Sequence, residues 1–247
     1  MIRRLRMLKA GGCVVDASVL MPRRPRGQKI RLPIWMYLIE AADGLFLVDT
    51  GMPRSCVANP DYFKGTEDEG LILPEMTADD HVTAVLGRLG LRPQDVDAVV
   101  ATHLHFDHGG GLAAFADVPV LLQEEEHALA RRGEVWPECF PEGPVYRPYA
   151  GDRELAPGLR LLHTPGHTPG HTSVLVEPAG EAPILLTIDA VYTRENWEGE
   201  PGAFSEPERA ERSVARLREL AQSAGARVFF GHDTEQAALP EWRRYQA

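Results

Sequence analysis

The sequence contains few cysteines, few aromatic residues and no long hydrophobic run. Its 247 residues include 3 cysteines (Cys13, Cys56 and Cys139) in no CxxC spacing, which does not indicate a disulfide framework and fits a reducing compartment. No window approaches the ~18 apolar residues of a membrane span. The basic N-terminus is not followed by the apolar stretch of a signal peptide. We therefore expect a cytoplasmic protein with no membrane partner.

An excess of positive charge is also missing. Lys and Arg total 26 against 36 Asp and Glu, which gives a formal net charge of −10. Binding to nucleic acid needs a basic surface that displaces counterions, so no nucleic-acid partner is expected. The sequence contains neither a glycine-rich phosphate loop nor a dinucleotide-binding fingerprint, and nucleotide chemistry is not favoured.

Length and composition predict one globular domain over residues 1–247, with 44% hydrophobic and 25% charged residues. Strand-like runs at 34–40 and 45–49 predict a hairpin, and a helical pattern begins after Thr77. Further strand-like runs alternate with helical segments, the last of which covers about 206–224. Strands mixed with helices in this way predict a layered α/β domain whose helices pack outside the sheets.

The most informative segment is His-Leu-His-Phe-Asp-His at residues 103–108, which places three imidazoles and one carboxylate within six residues. A β-branched, apolar run precedes it at 97–102, and glycines follow it. The segment therefore belongs to a loop between a strand and a helix, where α/β folds carry their chemistry. We interpret it as part of a metal site.

Three further polar residues, His167, Asp189 and His232, each end a strand-like run. Taken singly, such a histidine is more often hydrogen-bonded in a core, and such an aspartate more often caps a helix. Their recurrence at strand ends favours metal ligation. With residues 103–108 they supply five histidines and two aspartates, a set that suits two first-row metals sharing a bridge. The remaining histidines are predicted to be non-ligands: His81, His127, His163 and His171.

An HxHxDH run followed by single His, Asp and His residues resembles the hydrolases of the metallo-β-lactamase superfamily. The resemblance implies an αββα sandwich, two mixed β-sheets flanked by helices, with two divalent metal ions per subunit. One ion would be held by His103, His105 and His167, and the other by Asp107, His108 and His232. Asp189 and a water-derived hydroxide would bridge them. Zinc is the first expectation, although iron, cobalt and manganese suit the same ligands.

Within that superfamily the chain is most similar to the N-acyl homoserine lactone lactonases, which quench bacterial quorum sensing. The matching segments fall in the order and spacing of that family and cover nearly the whole chain: 32–35, 48–53, 73–76, 102–108, 186–190 and 229–233. The resemblance implies hydrolysis of a small-molecule lactone. It also implies a homodimer, with residues 53–76 as candidate contacts between subunits.

The resemblance implies that Tyr192 contacts the lactone, and the chemistry of the other residues leads to a hypothesis for the mechanism. A hydroxide formed at the metals attacks the lactone carbonyl, and the Tyr192 hydroxyl binds the substrate and stabilises the oxyanion. Asp107 takes a proton and passes it to the leaving ring oxygen. Asp49 orients a ligand imidazole. The alternatives are an aromatic on a loop rim for Tyr192 and simple turn formation for Asp49.

The acyl chain of such a substrate requires an apolar groove. The candidates are Met21, Trp35, Phe63 and Phe106, each of which, taken singly, is also typical of a protein core. Phe106 is the strongest candidate because it lies between two ligands. Glu67 stands where related lactonases have a second aromatic residue, so no chain-length preference follows from the resemblance.

Other functions use the same fold. A thioesterase of the glyoxalase II kind or a phosphotriesterase would have identical ligands, and the segments around residues 189 and 232 favour the lactonase over both. A diiron oxygen or nitric oxide reductase usually carries a carboxylate in place of His105 and an added flavin domain. A non-catalytic binding protein would be expected to have lost some ligands, and all of them are present here.

Overall fold

The computed structural model describes residues 1–236, so residues 237–247 of the expected single domain lie outside the described part of the chain. Among the described residues, no helix is both long enough and apolar enough to cross a membrane. The described chain forms two β-sheets with helices on their outer faces.

The first sheet has seven strands in the order β4-β1-β2-β3-β5-β6-β7. They are β1 (Ile2–Asp16), β2 (Lys29–Ala41), β3 (Gly44–Val48), β4 (Ile72–Glu75), β5 (Ala98–Val100), β6 (Pro119–Gln123) and β7 (Val145–Tyr149). Strands β4, β1, β2 and β3 pair antiparallel, whereas β3, β5, β6 and β7 run parallel. The carboxyl ends of β3 and β5 therefore meet at one edge, where the 103–108 loop begins.

The second sheet has five strands in the order β12-β11-β10-β9-β8. They are β8 (Arg153–Ala156), β9 (Leu159–His163), β10 (Thr172–Val176), β11 (Ile184–Leu186) and β12 (Arg227–Phe229). Strand β10 is antiparallel to both of its neighbours, and β11 is parallel to β12. Strands β9, β11 and β12 consequently end at the same edge, and His167, Asp189 and His232 follow these ends.

Five α-helices lie in the described part of the chain: α1 (Val82–Arg88), α2 (Phe106–Gly109), α3 (Glu124–Arg131), α4 (Arg194–Glu198) and α5 (Pro207–Ala224). Buried residues of α1 pack on the outer face of the first sheet, and Leu217 and Ala221 of α5 pack on the outer face of the second. A third apolar cluster, drawn from both sheets, fills the space between them. The order helix, sheet, sheet, helix confirms the predicted αββα sandwich.

The structure differs from the sequence-based expectation in two local features. The connection at 53–76, in which no strand is predicted from the sequence, contains β4, which pairs with β1. Four residues that include Pro74 are too few to show an alternating pattern. Thr77 caps a 3₁₀ turn (Ala78–Asp80) instead of the helix, and the His81 side chain accepts a hydrogen bond from Thr83 N at the start of α1.

Candidate metal centre

The loops at the ends of β5 and β9 bring three histidines together. His167 Nε2 lies 3.1 Å from His103 Nε2 and 2.9 Å from His105 Nδ1. His103 and His167 are buried and His105 is exposed at the surface. These three residues, the tris-histidine cluster, match the set expected to hold one divalent ion.

A second cluster forms beside the first, from the first turn of α2 and the loop after β12. His108 Nε2 and His232 Nε2 each lie 3.7 Å from Asp107 Oδ2. Both imidazoles are buried, while the Asp107 side chain keeps 13% of its surface exposed. These residues, the aspartate-histidine cluster, match the set expected to hold the other ion.

Asp189 lies between the two clusters. Its Oδ2 is 3.4 Å from His167 Nε2 on the tris-histidine side. Its Oδ1 is 3.4 Å from His108 Nε2 and 3.1 Å from His232 Nε2 on the other side. One carboxylate thus faces both clusters, as a bridging ligand must. All seven sequence-predicted ligands come together at this point, four from loops of the first sheet and three from loops of the second.

The hydrogen bonds made by Nδ1 of His103 and of His232 show which ring nitrogen each offers to a metal. Thr102 Oγ1 donates to Asp49, so it accepts from His103 Nδ1 at 3.2 Å. His232 Nδ1 donates to Pro33 O at 3.0 Å. With Nδ1 protonated, the lone pair of each Nε2 points into the centre, an arrangement typical of histidine ligands.

The inner atoms fit bound cations. His108 Nε2 and Asp189 Oδ1 are buried and have no hydrogen-bond partner among the described residues. Burial raises the pKa of Asp189, but the facing imidazoles of His232 and His108 outweigh it and hold that pKa well below its usual range. Burial, followed by the nearby imidazoles, lowers the pKa of His103, which keeps the ring neutral. Imidazole nitrogens around an ionised carboxylate are a donor set that suits divalent first-row metals.

Asp49, predicted to orient a ligand, lies directly behind His108. Its Oδ2 is 2.9 Å from His108 Nδ1, and its two oxygens also accept bonds from Thr102 N and Oγ1, both at 2.9 Å. Asp49 itself has a φ of 59°, a left-handed conformation that fits a tight turn. The same residue therefore shapes the turn after β3 and orients a ligand of the aspartate-histidine cluster.

A cavity of about 660 Å³ opens beside the two clusters. His105, Asp107, His167, Asp189 and His232 contribute to its wall. The rest of the wall is mostly apolar and includes Val15, Val19, Leu20, Leu32, Ile34, Phe63, Leu104, Phe106 and Trp136. A mostly apolar cavity with a few polar groups at one end is typical of a small-molecule site.

Comparison with known proteins agrees with this geometry. Residues 30–232 match the family described as the Metallo-beta-lactamase superfamily. N-acyl homoserine lactonase AiiA of Bacillus thuringiensis subsp. kurstaki is 44% identical over 95% of each chain. The chain belongs to the N-acyl homoserine lactonase family.

Solved structures of this family superpose closely on the chain. An N-acyl homoserine lactone hydrolase with N-hexanoyl-L-homoserine bound at its catalytic metal centre gives a TM-score of 0.93, with 42% identity and 96% coverage of both chains. A B. thuringiensis AiiA variant with N-decanoyl-L-homoserine at its active site gives the same TM-score, identity and coverage. In both neighbours, the bound molecule is an N-acyl homoserine.

In this family member Tyr192 lines the cavity, and its hydroxyl is already hydrogen-bonded. The hydroxyl donates to Ala203 O at 2.7 Å, so it accepts from His167 Nδ1 at 2.8 Å. Burial, with Asp189 and Asp107 nearby, raises the pKa of Tyr192 well above its ordinary value. The phenol therefore stays neutral, and it fixes the ring of a tris-histidine ligand as well as facing the cavity.

The groove candidates divide into two groups. Phe63 and Phe106 line the cavity, with ring centroids 4.9 Å apart. Trp35 and Met21 are not among the residues of this wall, and their contact with an acyl chain stays a prediction. Trp35 packs in the core between the sheets because side chains alternate along β2, so that its neighbour Ile34 faces the cavity.

Met21 is buried in the apolar cluster on the outer face of the first sheet, which also contains Phe63 and Phe106. Its neighbours Val19 and Leu20 line the cavity. Trp136, which the sequence analysis did not single out, also lines the cavity and packs 5.7 Å from Phe63, centroid to centroid. No local pattern connects these two residues, which lie far apart in the chain.

His171, predicted to be a non-ligand, supports the bridging carboxylate from behind. Its Nε2 accepts a bond from Asp189 N at 3.1 Å, and burial lowers the pKa of His171 to about 3, so the ring stays neutral. Ile188, just before Asp189, has a φ of 51°. A β-branched residue rarely adopts that conformation, and the imidazole helps to hold the backbone there. The sequence showed this histidine but gave no sign of its partner.

Proposed function

We propose that this chain hydrolyses the lactone ring of N-acyl homoserine lactones at a centre of two divalent metal ions. The observation that carries the proposal is the position of Asp189, whose two oxygens face two separate ligand clusters at one end of an apolar cavity. The family relationship supports the substrate class. The length of acyl chain that the cavity prefers is left to experiment.

Divalent ions, when bound, lower the pKa of water and polarise a carbonyl oxygen, which is the chemistry that opening a lactone requires. The protein contributes the proton transfers. Asp107 is suited to this role because its carboxylate lies in the cavity wall and is partly open to it. One of its carboxylate oxygens accepts a proton from the attacking water and then donates it to the ring oxygen that leaves.

Tyr192 orients the substrate in this proposal. Its hydroxyl, which now donates to Ala203 O, turns that proton toward the lactone carbonyl when substrate enters. A neutral phenol donor close to the developing oxyanion stabilises the transition state more than the ground state. Phe63 and Phe106, which also line the cavity, exclude water from the acyl chain.

We further propose zinc as the resident metal and two ions per subunit. The ligand set, five imidazoles and two carboxylates in two clusters, supports this proposal, although iron, cobalt and manganese suit it equally in geometry. Elemental analysis of protein purified without added metal tests both the identity and the number. A content of one ion per subunit would contradict the dinuclear centre.

A homodimer and a cytoplasmic location complete the proposal. The dimer rests on the family resemblance, with residues 53–76 as candidate contacts, and light scattering of the purified protein tests it. The location rests on the cysteine content, since all three cysteines are free and buried in the structure. Cell fractionation tests it.

The proposed activity is tested with purified, metal-loaded protein and N-acyl homoserine lactones of several chain lengths, followed by acid release. A glutathione thioester and a phosphotriester serve as control substrates. We expect rapid lactone opening that a chelator abolishes and that exceeds turnover of both controls. Fast cleavage of either control with negligible lactone opening would assign the centre to another hydrolase of the same fold.

Replacing Tyr192 with phenylalanine removes its hydroxyl, and with it the hydrogen bonds to Ala203 O and His167 Nδ1. The change removes a donor to the transition state, so we expect kcat to fall by about 100- to 1,000-fold, as on loss of one oxyanion donor, with a smaller change in KM. Ile34→Val, at the apolar wall of the same cavity, is the matched control and should alter KM more than kcat. An unchanged kcat for Tyr192→Phe would exclude a role in the chemical step.

A further inference from the structure

Glu126 is a buried acidic residue that the proposed mechanism does not use. It lies in the first turn of α3 and is only 1% exposed to solvent. It also contributes to the wall of the cavity. No basic side chain pairs with it among the hydrogen bonds and ion pairs of the described residues. A carboxylate buried in this way is costly unless hydrogen bonds satisfy both of its oxygens.

The two oxygens of Glu126 accept hydrogen bonds from two different loops. Oε1 accepts from Leu104 N at 2.9 Å, between the ligands His103 and His105. Oε2 accepts from Thr168 Oγ1 at 2.7 Å and from Gly170 N at 3.3 Å, just after the ligand His167. A single carboxylate thus joins the loop after β5 to the loop after β9.

The joined loops carry all three ligands of the tris-histidine cluster. The aspartate-histidine cluster is held differently, since Asp49 bonds His108 and Pro33 O accepts from His232. The loop after β9 also approaches α3 closely. A Cβ atom added to Gly170 would lie 2.4 Å from Glu126 N. The geometry requires glycine there and brings the second loop within reach of the carboxylate.

We propose that Glu126 is a positioning residue that sets the geometry of the tris-histidine cluster alone, by fixing its two ligand loops against each other. The inference rests on the proposed metal centre and is independent of the substrate. Loss of the carboxylate therefore weakens one of the two metal sites selectively. General damage to the fold would weaken both.

The test measures zinc affinity by competition with a chelating dye, with no lactone present. Glu126→Gln keeps the shape of the side chain but replaces one acceptor oxygen by a donor, so one loop loses its bond. We expect the affinity of one site to fall by about 10- to 100-fold, the range found for residues that orient metal ligands. The other site should stay within about twofold. Glu124→Gln, exposed on the same helix, makes the same charge change and should alter neither site.

Two variants, each of which lacks a ligand of one cluster, show which cluster is affected by the loss of Glu126. His105→Ala removes a ligand of the tris-histidine cluster, and adding Glu126→Gln to it should leave the affinity of the remaining ion unchanged. His232→Ala removes a ligand of the other cluster, and there Glu126→Gln should weaken the remaining ion. If Glu126→Gln lowers the affinity of the remaining ion equally in both variants, or lowers it in neither, the proposal is wrong.

Thr168→Val provides a second variant should the glutamine variant fail to fold, which circular dichroism of the metal-free protein shows. It removes one bond to Oε2 at nearly constant volume and leaves the bond to Leu104 N. We expect the same selectivity with a smaller loss of affinity. If Thr168→Val weakens the two sites equally or not at all, the positioning role is wrong. Failure of the lactone assay would leave these affinities unaffected, so the two proposals fail separately.

Discussion

Replacing Asp107 with asparagine is expected to lower kcat for lactone opening by about 10²- to 10⁴-fold, the usual contribution of a positioned acid or base. The amide has nearly the same shape, and its oxygen can still face the metal between His108 and His232. It cannot accept a proton and return it. Turnover should therefore be lost while metal content is largely retained.

Steady-state kinetics and elemental analysis of the same preparation check this result. Asp79→Asn, at an exposed residue outside the 53–76 connection, is the matched control and should behave as the unaltered protein does. If the activity of Asp107→Asn stays within about twofold of the unaltered protein, Asp107 does not transfer the proton, because a positioned acid or base raises the rate by far more. Loss of metal together with activity would indicate that its main contribution is ligation.

Replacing Asp189 with asparagine is expected to remove at least one metal ion and to abolish turnover. The carboxylate of Asp189 lies 3.4 Å from His167 Nε2 and 3.1 Å from His232 Nε2. Asparagine is neutral, so the tris-histidine cluster, which contains no carboxylate of its own, is left without an anionic ligand. The buried histidines then lose the negative charge that balances a cation. The loss of metal and the loss of turnover both follow from the position of Asp189 between the two clusters.

Metal content per subunit, measured after dialysis against metal-free buffer, checks this prediction together with the residual rate. Asp43→Asn at the exposed tip of the β2–β3 hairpin is the control for a neutralised carboxylate. Retention of both ions with normal turnover would show that Asp189 does not bridge them, whatever the distances suggest.

The sequence could predict that the candidate ligands lie together, because they share a simple rule. Each of His167, Asp189 and His232 follows an apolar run, and strands that run in the same direction end at the same edge of a sheet. The 103–108 segment has its own dense pattern. The rule needs no knowledge of strand order, so it held although the order of the two sheets was not predicted.

The acyl groove was predicted less well because its residues depend on register and on distant contacts. Trp35 and Ile34 are both apolar and adjacent, and which of them faces the cavity depends on how β2 pairs with β1 and β3. Trp136 meets Phe63 only through the folded arrangement of two connections. The hydrogen bonds of Glu126 likewise join segments that are far apart in the chain.

The origin of the ligands in both sheets has a consequence for the lifetime of the protein in a cell. Each bound ion connects loops that belong to opposite layers of the sandwich, so an ion that binds only the folded chain adds to its free energy of unfolding by mass action. At an ion concentration about 100 times Kd, this contribution is about 2.7 kcal/mol. Proteases degrade the transiently opened chain, whose population rises as that contribution is lost. A cell short of the metal would therefore contain less of the enzyme, as well as a less active one.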